Sequence, residues 1–433
     1  MMPLATRLRS TAMRVLSSPI ALNALRSRAR LRRRLRGAPR VVHYFHQVDD
    51  PYSHLAVQKL DAFTQSCTLP VVPHLVRPPT AAFRGDAARY TAWARRDAAS
   101  IAPWFGCALP GGDGEPAREQ VRRANALLAP LLGGTGFAAA AVAVGEALWS
   151  GRALDDAVHD LEPALIQGTR LRDDLGHYFG AMFHFEGEWF WGVDRLHLLE
   201  ARLRGEGSMS WDASVCAPLP QVHAPVGTDA RAVTLEYFPS LRSPYTAVGH
   251  ARVLDVLART GVTLALRPVM PRMMRGVPAP LAKQRYIAMD AAREARFHRV
   301  PYGRMVDPFG EPVRRAFALF PAATRMGRGL EFVTAYLSCA WAKGVDITSA
   351  AGLRRVVEEA GLDWQAVQRE SEGDDWQAVL DDNVDAMLGA GQWGVPSFRV
   401  SGGNDPLPFA CWGQDRIWRV EAEILRRTES FSA

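Results

Sequence analysis

Residues 235–250 read LEYFPSLRSPYTAVGH and place a short apolar run just before the sequence SPYT at 243–246. Apolar and aromatic residues up to Phe238 are typical of a buried β-strand. A serine followed by proline is typical of the first residues of an α-helix. The stretch therefore predicts a strand, a turn and a helix that begins at Ser243. A serine in this position is usually a helix cap, so any chemical role needs support from other parts of the chain.

The composition is that of an ordinary globular protein, with 48% hydrophobic and 22% charged residues in a chain of 433. Its net charge of +7 is local, because residues 1–40 hold eleven Arg and no acidic residue, which leaves −4 for residues 41–433. We expect residues 1–40 to form a disordered arm that could contact an anionic surface, such as lipid. The longest uncharged apolar run, at 136–145, is too short to span a bilayer.

The chain carries one pattern twice. WGVDRLHLLEARL (191–203) aligns with WGQDRIWRVEAEI (412–424), and six of the thirteen positions are identical. HYFHQVDDPYSHLA (43–56) aligns with EYFPSLRSPYTAVG (236–249), with Tyr, Phe, Pro and Tyr in register. Self-similarity of this kind indicates a tandem duplication of one structural unit.

Two domains follow from this repeat, at residues 41–204 and 232–428, joined by a linker at 205–231 that is rich in Gly, Ser and Pro. Each copy predicts a strand, a helix and a strand, then several helices, a strand pair and a last helix. This α/β order resembles the thioredoxin fold with an inserted helical subdomain.

Two further motifs lie near the end of the second copy. GVPSF (394–398) predicts a cis-proline turn at Val395-Pro396 that leads into a strand. WGQDR (412–416) places Gln414 and Asp415 at the start of the last helix, where Asp is usually a cap but could hold a free α-amino group. Each motif is common by itself, and their combination with SPYT is more specific.

A polar stripe follows the predicted helix in KQRYIAMDAAR. Lys283, Tyr286, Asp290 and Arg293 are spaced by three, four and three residues, which places them on one face of a helix. Such a stripe is usually a solvated face. If it faces a cleft, it could instead position an acidic or phenolic substrate.

Together these motifs resemble the DsbA-like thioredoxin family, in the branch of 2-hydroxychromene-2-carboxylate isomerase and kappa-class glutathione transferase. The resemblance implies that Ser243 holds the thiolate of glutathione, acting as co-substrate, and that Val395, before Pro396, pairs its backbone with the cysteinyl part. It also implies that Gln414 and Asp415 grip the γ-glutamyl end. Four residues would lie beside a small aromatic substrate: Tyr245, Lys283, Tyr286 and Asp290. No metal is expected.

The first copy departs from this pattern. Asp50 stands where Ser243 does, and a carboxylate there would raise the pKa of a bound thiol and repel its anion. GAMFHF (180–185) lacks the proline of GVPSF. We therefore predict a degenerate first domain, which could take the place of a partner subunit in a pseudo-dimer within one chain.

Two other functions compete with the glutathione-dependent isomerase or transferase. A non-catalytic tandem scaffold, attached to anionic membranes by the Arg-rich arm, stays open. Dithiol–disulfide exchange is disfavoured, because the five cysteines include no C-x-x-C pair. Reduced, unpaired cysteines also predict a cytoplasmic protein.

Overall fold

The computed structural model describes residues 4–111, 115–156, 159–277 and 279–428. Within these ranges the chain forms two compact units. The N-terminal unit contains residues 23–220 and 279–286, and the C-terminal unit contains 4–22, 221–277 and 287–428. The division after Pro220 falls inside the segment predicted as the linker. Residues 279–286 lie within the predicted second domain, 232–428, but in the structure they belong to the N-terminal unit.

The elements of the first half follow the predicted order. They are α1 (Leu4–Leu16), α2 (Pro19–Leu35), β1 (Val42–His46), α3 (Pro51–Val57), α4 (Leu60–Ser66), β2 (Val71–Leu75), α5 (Ala81–Arg84), α6 (Ala87–Ile101), α7 (Arg118–Leu128), α8 (Phe137–Trp149), α9 (Glu162–Asp174), β3 (Met182–Phe185), β4 (Glu188–Trp191) and α10 (Gly192–Gly205).

The second half repeats this order. It contains β5 (Val233–Phe238), α11 (Pro244–Thr260), β6 (Thr263–Leu266), α12 (Leu281–Phe297), α13 (Glu311–Arg325), α14 (Gly329–Ser338), α15 (Ala350–Glu359), α16 (Trp364–Glu370), α17 (Trp376–Gly389), β7 (Ser397–Gly402), β8 (Asp405–Trp412) and α18 (Ile417–Thr428). Short 3₁₀ turns occur at Ala102–Phe105, Ala129–Leu131, Arg272–Arg275 and Gln414–Arg416, and a π-helical turn at Cys339–Lys343.

Each unit contains a four-stranded sheet, with strand orders β2-β1-β3-β4 and β6-β5-β7-β8. The first two strands of each unit are parallel, and the third pairs antiparallel with the first and with the fourth. Tyr44 pairs with Phe183, and Tyr237 pairs with Phe398. The predicted α/β fold is confirmed, and two equivalent sheets are consistent with two thioredoxin-like parts.

The central strand β5 fixes where the second copy's SPYT motif lies. Val233, Leu235 and Tyr237 are fully buried, and they share a core with residues of α11 and α18. A second apolar core, which includes Phe317 and Phe332, lies within the inserted helices. Residues of α11 and α18 pack against β5. A short loop, 239–243, connects the carboxyl end of β5 to the first residue of α11.

The N-terminal arm is helical, which corrects the prediction of disorder. Arg26 Nε donates to Glu188 Oε2 at 2.8 Å, and Arg30 Nε donates to Glu186 Oε2 at 3.0 Å. Both glutamate side chains are almost fully buried, and α2 supplies them with counter-charges. The isolated arm sequence lacks acidic partners, whereas the folded unit provides them. In the part of the chain that the structure describes, no helix combines the length and apolarity needed to cross a membrane.

Candidate functional site

Ser243 is the N-cap of α11. Its Oγ accepts a hydrogen bond from the Thr246 backbone N at 3.1 Å, and it is 7% exposed. The helix that it caps has 17 residues and therefore presents a full positive dipole end at Ser243. Ser243 therefore has the usual role of a helix cap. The hydroxyl proton stays available for a second partner, because the cap uses the oxygen only as an acceptor.

That second partner comes from the GVPSF motif. Ser243 Oγ donates to the Val395 carbonyl oxygen over a long 3.5 Å, across 152 residues of sequence. The Val395–Pro396 peptide is cis, as predicted, and it leads directly into β7. The Pro396 carbonyl accepts from Gly413 N at 2.9 Å, which ties the turn to the start of the WGQDR motif. The structure thus brings three separate sequence motifs to one end of the sheet.

Tyr245 and Asp290, both predicted beside the substrate, are in direct contact. The Tyr245 hydroxyl donates to Asp290 Oδ2 at 2.8 Å, and Arg293 Nη2 donates to the other carboxylate oxygen at 2.5 Å. Asp290 is 1% exposed, so its negative charge is stabilised by these donors instead of by water. The arrangement fixes the Tyr245 ring two residues after Ser243.

Gln414 and Asp415 differ in what they can still bind. Gln414 is 1% exposed, its side-chain oxygen accepts from Arg252, and its Nε2 donates to Glu294 Oε2 at 2.7 Å. Its amide is therefore committed to joining α11 and α12. The Asp415 side chain keeps 15% exposure, and its Oδ1 lies 3.9 Å from Arg416 Nη1. Of the two, the Asp415 side chain is the more accessible to a ligand.

Lys283 and Tyr286 fall in the N-terminal unit, whereas Asp290 and Arg293 belong to the C-terminal unit. Lys283 Nζ donates to the Phe83 carbonyl at 2.5 Å, and the Tyr286 ring makes an edge contact with His177 at 4.8 Å between centroids. The helical spacing itself is correct, since all four polar residues lie on α12.

The first unit shows what replaces the serine site. Asp50 caps α3, and its Oδ2 accepts from both the backbone N and the hydroxyl of Ser53, at 2.9 and 2.8 Å. The Ser53 hydroxyl oxygen also accepts from Ala181 N at 2.8 Å. By strand register Ala181 occupies the position of Pro396. Because alanine has a backbone N–H and proline does not, the first unit has a hydrogen-bond donor at this position. Burial raises the pKa of the Asp50 carboxyl to about 7.

Arg242, which the motif analysis did not single out, precedes Ser243 directly. Its guanidinium donates to both carboxylate oxygens of Asp307, at 2.7 and 2.9 Å, and lies 4.5 Å from the centre of the Phe309 ring. A positive group beside a bound thiol would favour the thiolate. Arg242 is visible in the stretch 235–250, but its partners Asp307 and Phe309 lie more than 60 residues away and only the fold brings them together.

Comparison with known families identifies this half of the chain. Residues 234–425 match the family model described as the DSBA-like thioredoxin domain. This part of the protein is a DsbA-like thioredoxin domain. The match leaves the first unit outside, so it does not extend to the expected duplication. No curated protein matches the chain in sequence.

Several solved structures are similar to the DsbA-like part. One is 2-hydroxychromene-2-carboxylate isomerase, with 18% identity over 45% of this chain and 95% of that chain, and a TM-score of 0.37. Another is the cytosolic disulfide reductase DsbM from Pseudomonas aeruginosa with GSH, with 20% identity, coverages of 45% and 99%, and a TM-score of 0.33. A probable DsbA oxidoreductase from Streptomyces coelicolor has 17% identity, coverages of 46% and 93%, and a TM-score of 0.35.

The DsbA-like domain carries hydroxyls where a dithiol would lie, at Ser243 and Thr246. Its own cysteines, Cys339 and Cys411, are buried and form no disulfide with any described residue. Burial, reinforced by the neighbouring Glu359 carboxylate, raises the pKa of Cys339 to about 12. A thiol with a pKa of this kind is a poor nucleophile at neutral pH.

Proposed function

We propose that the DsbA-like domain binds glutathione and uses its thiol to isomerise, or to conjugate, a small aromatic substrate. The observation that carries this proposal is the Ser243 hydroxyl, which caps α11 and faces the Val395 carbonyl. A hydroxyl proton that makes only a long hydrogen bond can turn to a stronger acceptor, and a thiolate at a helix N-terminus is one.

The backbone beside the cis proline suits a peptide-like ligand. Among the described residues, the Val395 N–H makes no hydrogen bond, and the Val395 carbonyl accepts only the long bond from Ser243. Extended ligands pair with unpaired backbone groups at such edges. Val395 would therefore pair with the cysteinyl part of glutathione and position its sulfur near Ser243. The Asp415 carboxylate would bind the α-amino group, since the Gln414 amide is already occupied.

When bound, glutathione supplies a thiolate that adds to an electrophilic carbon of the substrate and, in an isomerisation, leaves again after bond rotation. The protein's part is to hold that charge. The Ser243 O–H donates to the sulfur, and the positive end of α11 favours the anion over the protonated thiol. Tyr245, fixed by Asp290, would form part of the wall against which an aromatic substrate packs. Lys283 and Tyr286 are left out, because they belong to the N-terminal unit.

Calorimetric titration of the full chain with reduced glutathione tests the proposal. We expect saturable binding that weakens by about tenfold or more in Ser243→Ala, because a hydrogen bond to a charged group is worth about 1.5–3 kcal/mol. Ser349→Ala is the matched control, since Ser349 also caps a helix in this unit and accepts from Gly352 N at 3.0 Å. Equal binding by all three proteins would refute the role of Ser243.

We further propose that the two units arose by tandem duplication and that the first replaces a partner subunit. The repeated WG-x-DR and YF…PY segments and the equivalent strand orders support this. The five cysteines form no disulfide in the described part of the chain, which fits a reducing, cytoplasmic location. Size-exclusion chromatography with light scattering should give the mass of one chain, and a stable dimer of full-length chains would contradict the pseudo-dimer.

A second candidate is a non-catalytic scaffold on anionic membranes, and α1 favours it. Leu4, Leu8 and Val15 are 71%, 61% and 52% exposed, and their spacing places them along one face of α1. Exposed Arg7 and Arg14 share this helix. An apolar stripe flanked by Arg is typical of helices that lie in a membrane interface.

Vesicle sedimentation separates the two candidates. The scaffold predicts salt-sensitive binding to phosphatidylglycerol vesicles but not to phosphatidylcholine vesicles, and loss of that binding in Leu4→Ser/Leu8→Ser. Leu407→Ser is the control, because Leu407 is 73% exposed on β8 of the same unit. Absence of vesicle binding by the unmodified chain, together with glutathione binding, would eliminate the scaffold.

A further inference from the structure

The N-terminal unit contains a cavity of about 90 Å³ at the place that corresponds to the serine site. Its walls come from the loop before α3, from α5 and α6, and from the segments around Glu115 and Phe179. The lining includes Asp50, the residue that replaces Ser243. The N-terminal unit therefore keeps a cavity at the position where the second copy has Ser243.

Two wall residues offer acceptor atoms that the protein does not use. Gln47 is 7% exposed, and its Nε2 donates to Asp49 Oδ1 at 3.0 Å. Within the described ranges, no group donates to the Gln47 side-chain carbonyl, and the Asp49 carboxylate accepts only from the Gln47 amide and from the Asp49 backbone N–H. A buried amide oxygen without a donor costs free energy unless a bound molecule satisfies it. The lining thus calls for a ligand that donates hydrogen bonds.

The charged residues of the cavity wall favour a positively charged ligand. Asp49, Asp50 and Glu115 supply three carboxyl groups, against the single guanidinium of Arg84. Burial raises the pKa of both Asp49 and Asp50, and a bound cation would offset that effect.

Aromatic residues complete the wall, since the Tyr90 and Phe179 rings stack with their centroids 5.8 Å apart. Carboxylates combined with aromatic faces are the usual surroundings of a bound organic cation.

We propose that this cavity binds a small primary ammonium group, of about the size of ethylammonium. Its three N–H donors match Gln47 Oε1 and the carboxylates of Asp49 and Asp50, and its short alkyl chain would lie against Tyr90 and Phe179. A cavity of about 150 Å³ holds benzene, which has six heavy atoms, so a cavity of about 90 Å³ suits a ligand of about three. This inference does not depend on glutathione binding in the other unit.

Titration of the full chain with ethylammonium chloride, followed by calorimetry, tests the proposal. We expect saturable binding that weakens by about tenfold or more in Asp49→Asn, because a charge-assisted bond becomes a neutral one. Asp61→Asn, which removes an exposed carboxylate on α4, should bind like the unmodified protein. Tetramethylammonium, a cation without N–H donors, should not compete.

A second variant keeps the test decisive if Asp49→Asn fails to fold. Thr91→Leu places a larger side chain in the cavity wall from a partly exposed position on α6, and it should abolish ethylammonium binding while the circular dichroism stays unchanged. Absence of saturable binding by the unmodified chain would overturn the proposal. Equal binding by Asp49→Asn and Thr91→Leu, or equal competition by tetramethylammonium, would also overturn it.

Discussion

The Ser243 hydroxyl and the Val395 carbonyl lie 3.5 Å apart, although 152 residues separate them in the chain. This contact joins the N-terminus of α11 to the cis-proline turn before β7. It places an O–H donor next to the Val395 backbone, which makes no other hydrogen bond among the described residues, and the proposed glutathione site depends on this arrangement. The predictions below test how the surrounding residues support it.

Tyr245→Phe should affect the substrate more than glutathione. The variant loses the hydrogen bond to Asp290 and leaves the ring less firmly placed, so we expect a severalfold rise in KM for an aromatic substrate, with glutathione affinity unchanged. Tyr302→Phe, in the same unit, is the control because Tyr302 stacks on Trp341 within the inserted helices. Steady-state kinetics with 1-chloro-2,4-dinitrobenzene as the probe would measure both constants. An equal rise in both variants would assign Tyr245 a purely structural role.

Asp50 should make the stability of the N-terminal unit depend on pH. The pKa of Asp50 is about 7 in the folded chain, against an ordinary value of about 3.9, so between these values the folded state holds a proton that the unfolded state has released. The free energy of unfolding contributed by Asp50 therefore falls as pH rises through this window. Asp50→Asn removes that contribution.

Hydrogen exchange of α3, measured from about pH 4 to about pH 7, would show the effect of Asp50. The protection of Asp50→Asn relative to the unmodified chain should increase with pH. Asp61→Asn controls for the loss of an exposed negative charge. A difference between Asp50→Asn and the unmodified chain that stays constant with pH would show that Asp50 keeps an ordinary pKa.

The helical arm predicts different effects for two arginines of α2. Arg26→Gln removes an ion pair with buried Glu188, and we expect a loss of about 1 kcal/mol together with faster proteolysis of the arm. Glu188 keeps its bond to Arg202 Nη1 at 2.6 Å, which limits the loss. Arg28→Gln alters an exposed arginine on the same helix and should change neither property. Identical thermal unfolding and proteolysis of the two variants would indicate that the arm does not dock.

Much of this architecture could be predicted from local patterns. The alternation around Tyr237 and the proline after Ser243 predict β5 and α11, because strand and helix starts depend on neighbouring residues. The Val395–Pro396 turn was predictable for the same reason. The features that could not be predicted from the sequence depend on contacts between residues that are far apart in the chain.

Three features illustrate that limit. Spacing alone placed Lys283 on one face with Asp290, but only tertiary packing decides that its ammonium bonds the Phe83 carbonyl. The Gln414 amide looked available until Arg252 and Glu294 were found beside it. The arm looked disordered because its counter-charges come from β4 and the β3–β4 turn.

The thiol pKa of glutathione bound to the full chain tests the central claim most directly. It can be followed by the ultraviolet absorbance of the thiolate during a pH titration. In the unmodified protein and in Ser349→Ala we expect a value at least about one unit below the ordinary thiol pKa of about 8.5, and in Ser243→Ala a return toward it. An unshifted pKa in the unmodified protein, or a shift that survives in Ser243→Ala, would contradict the account.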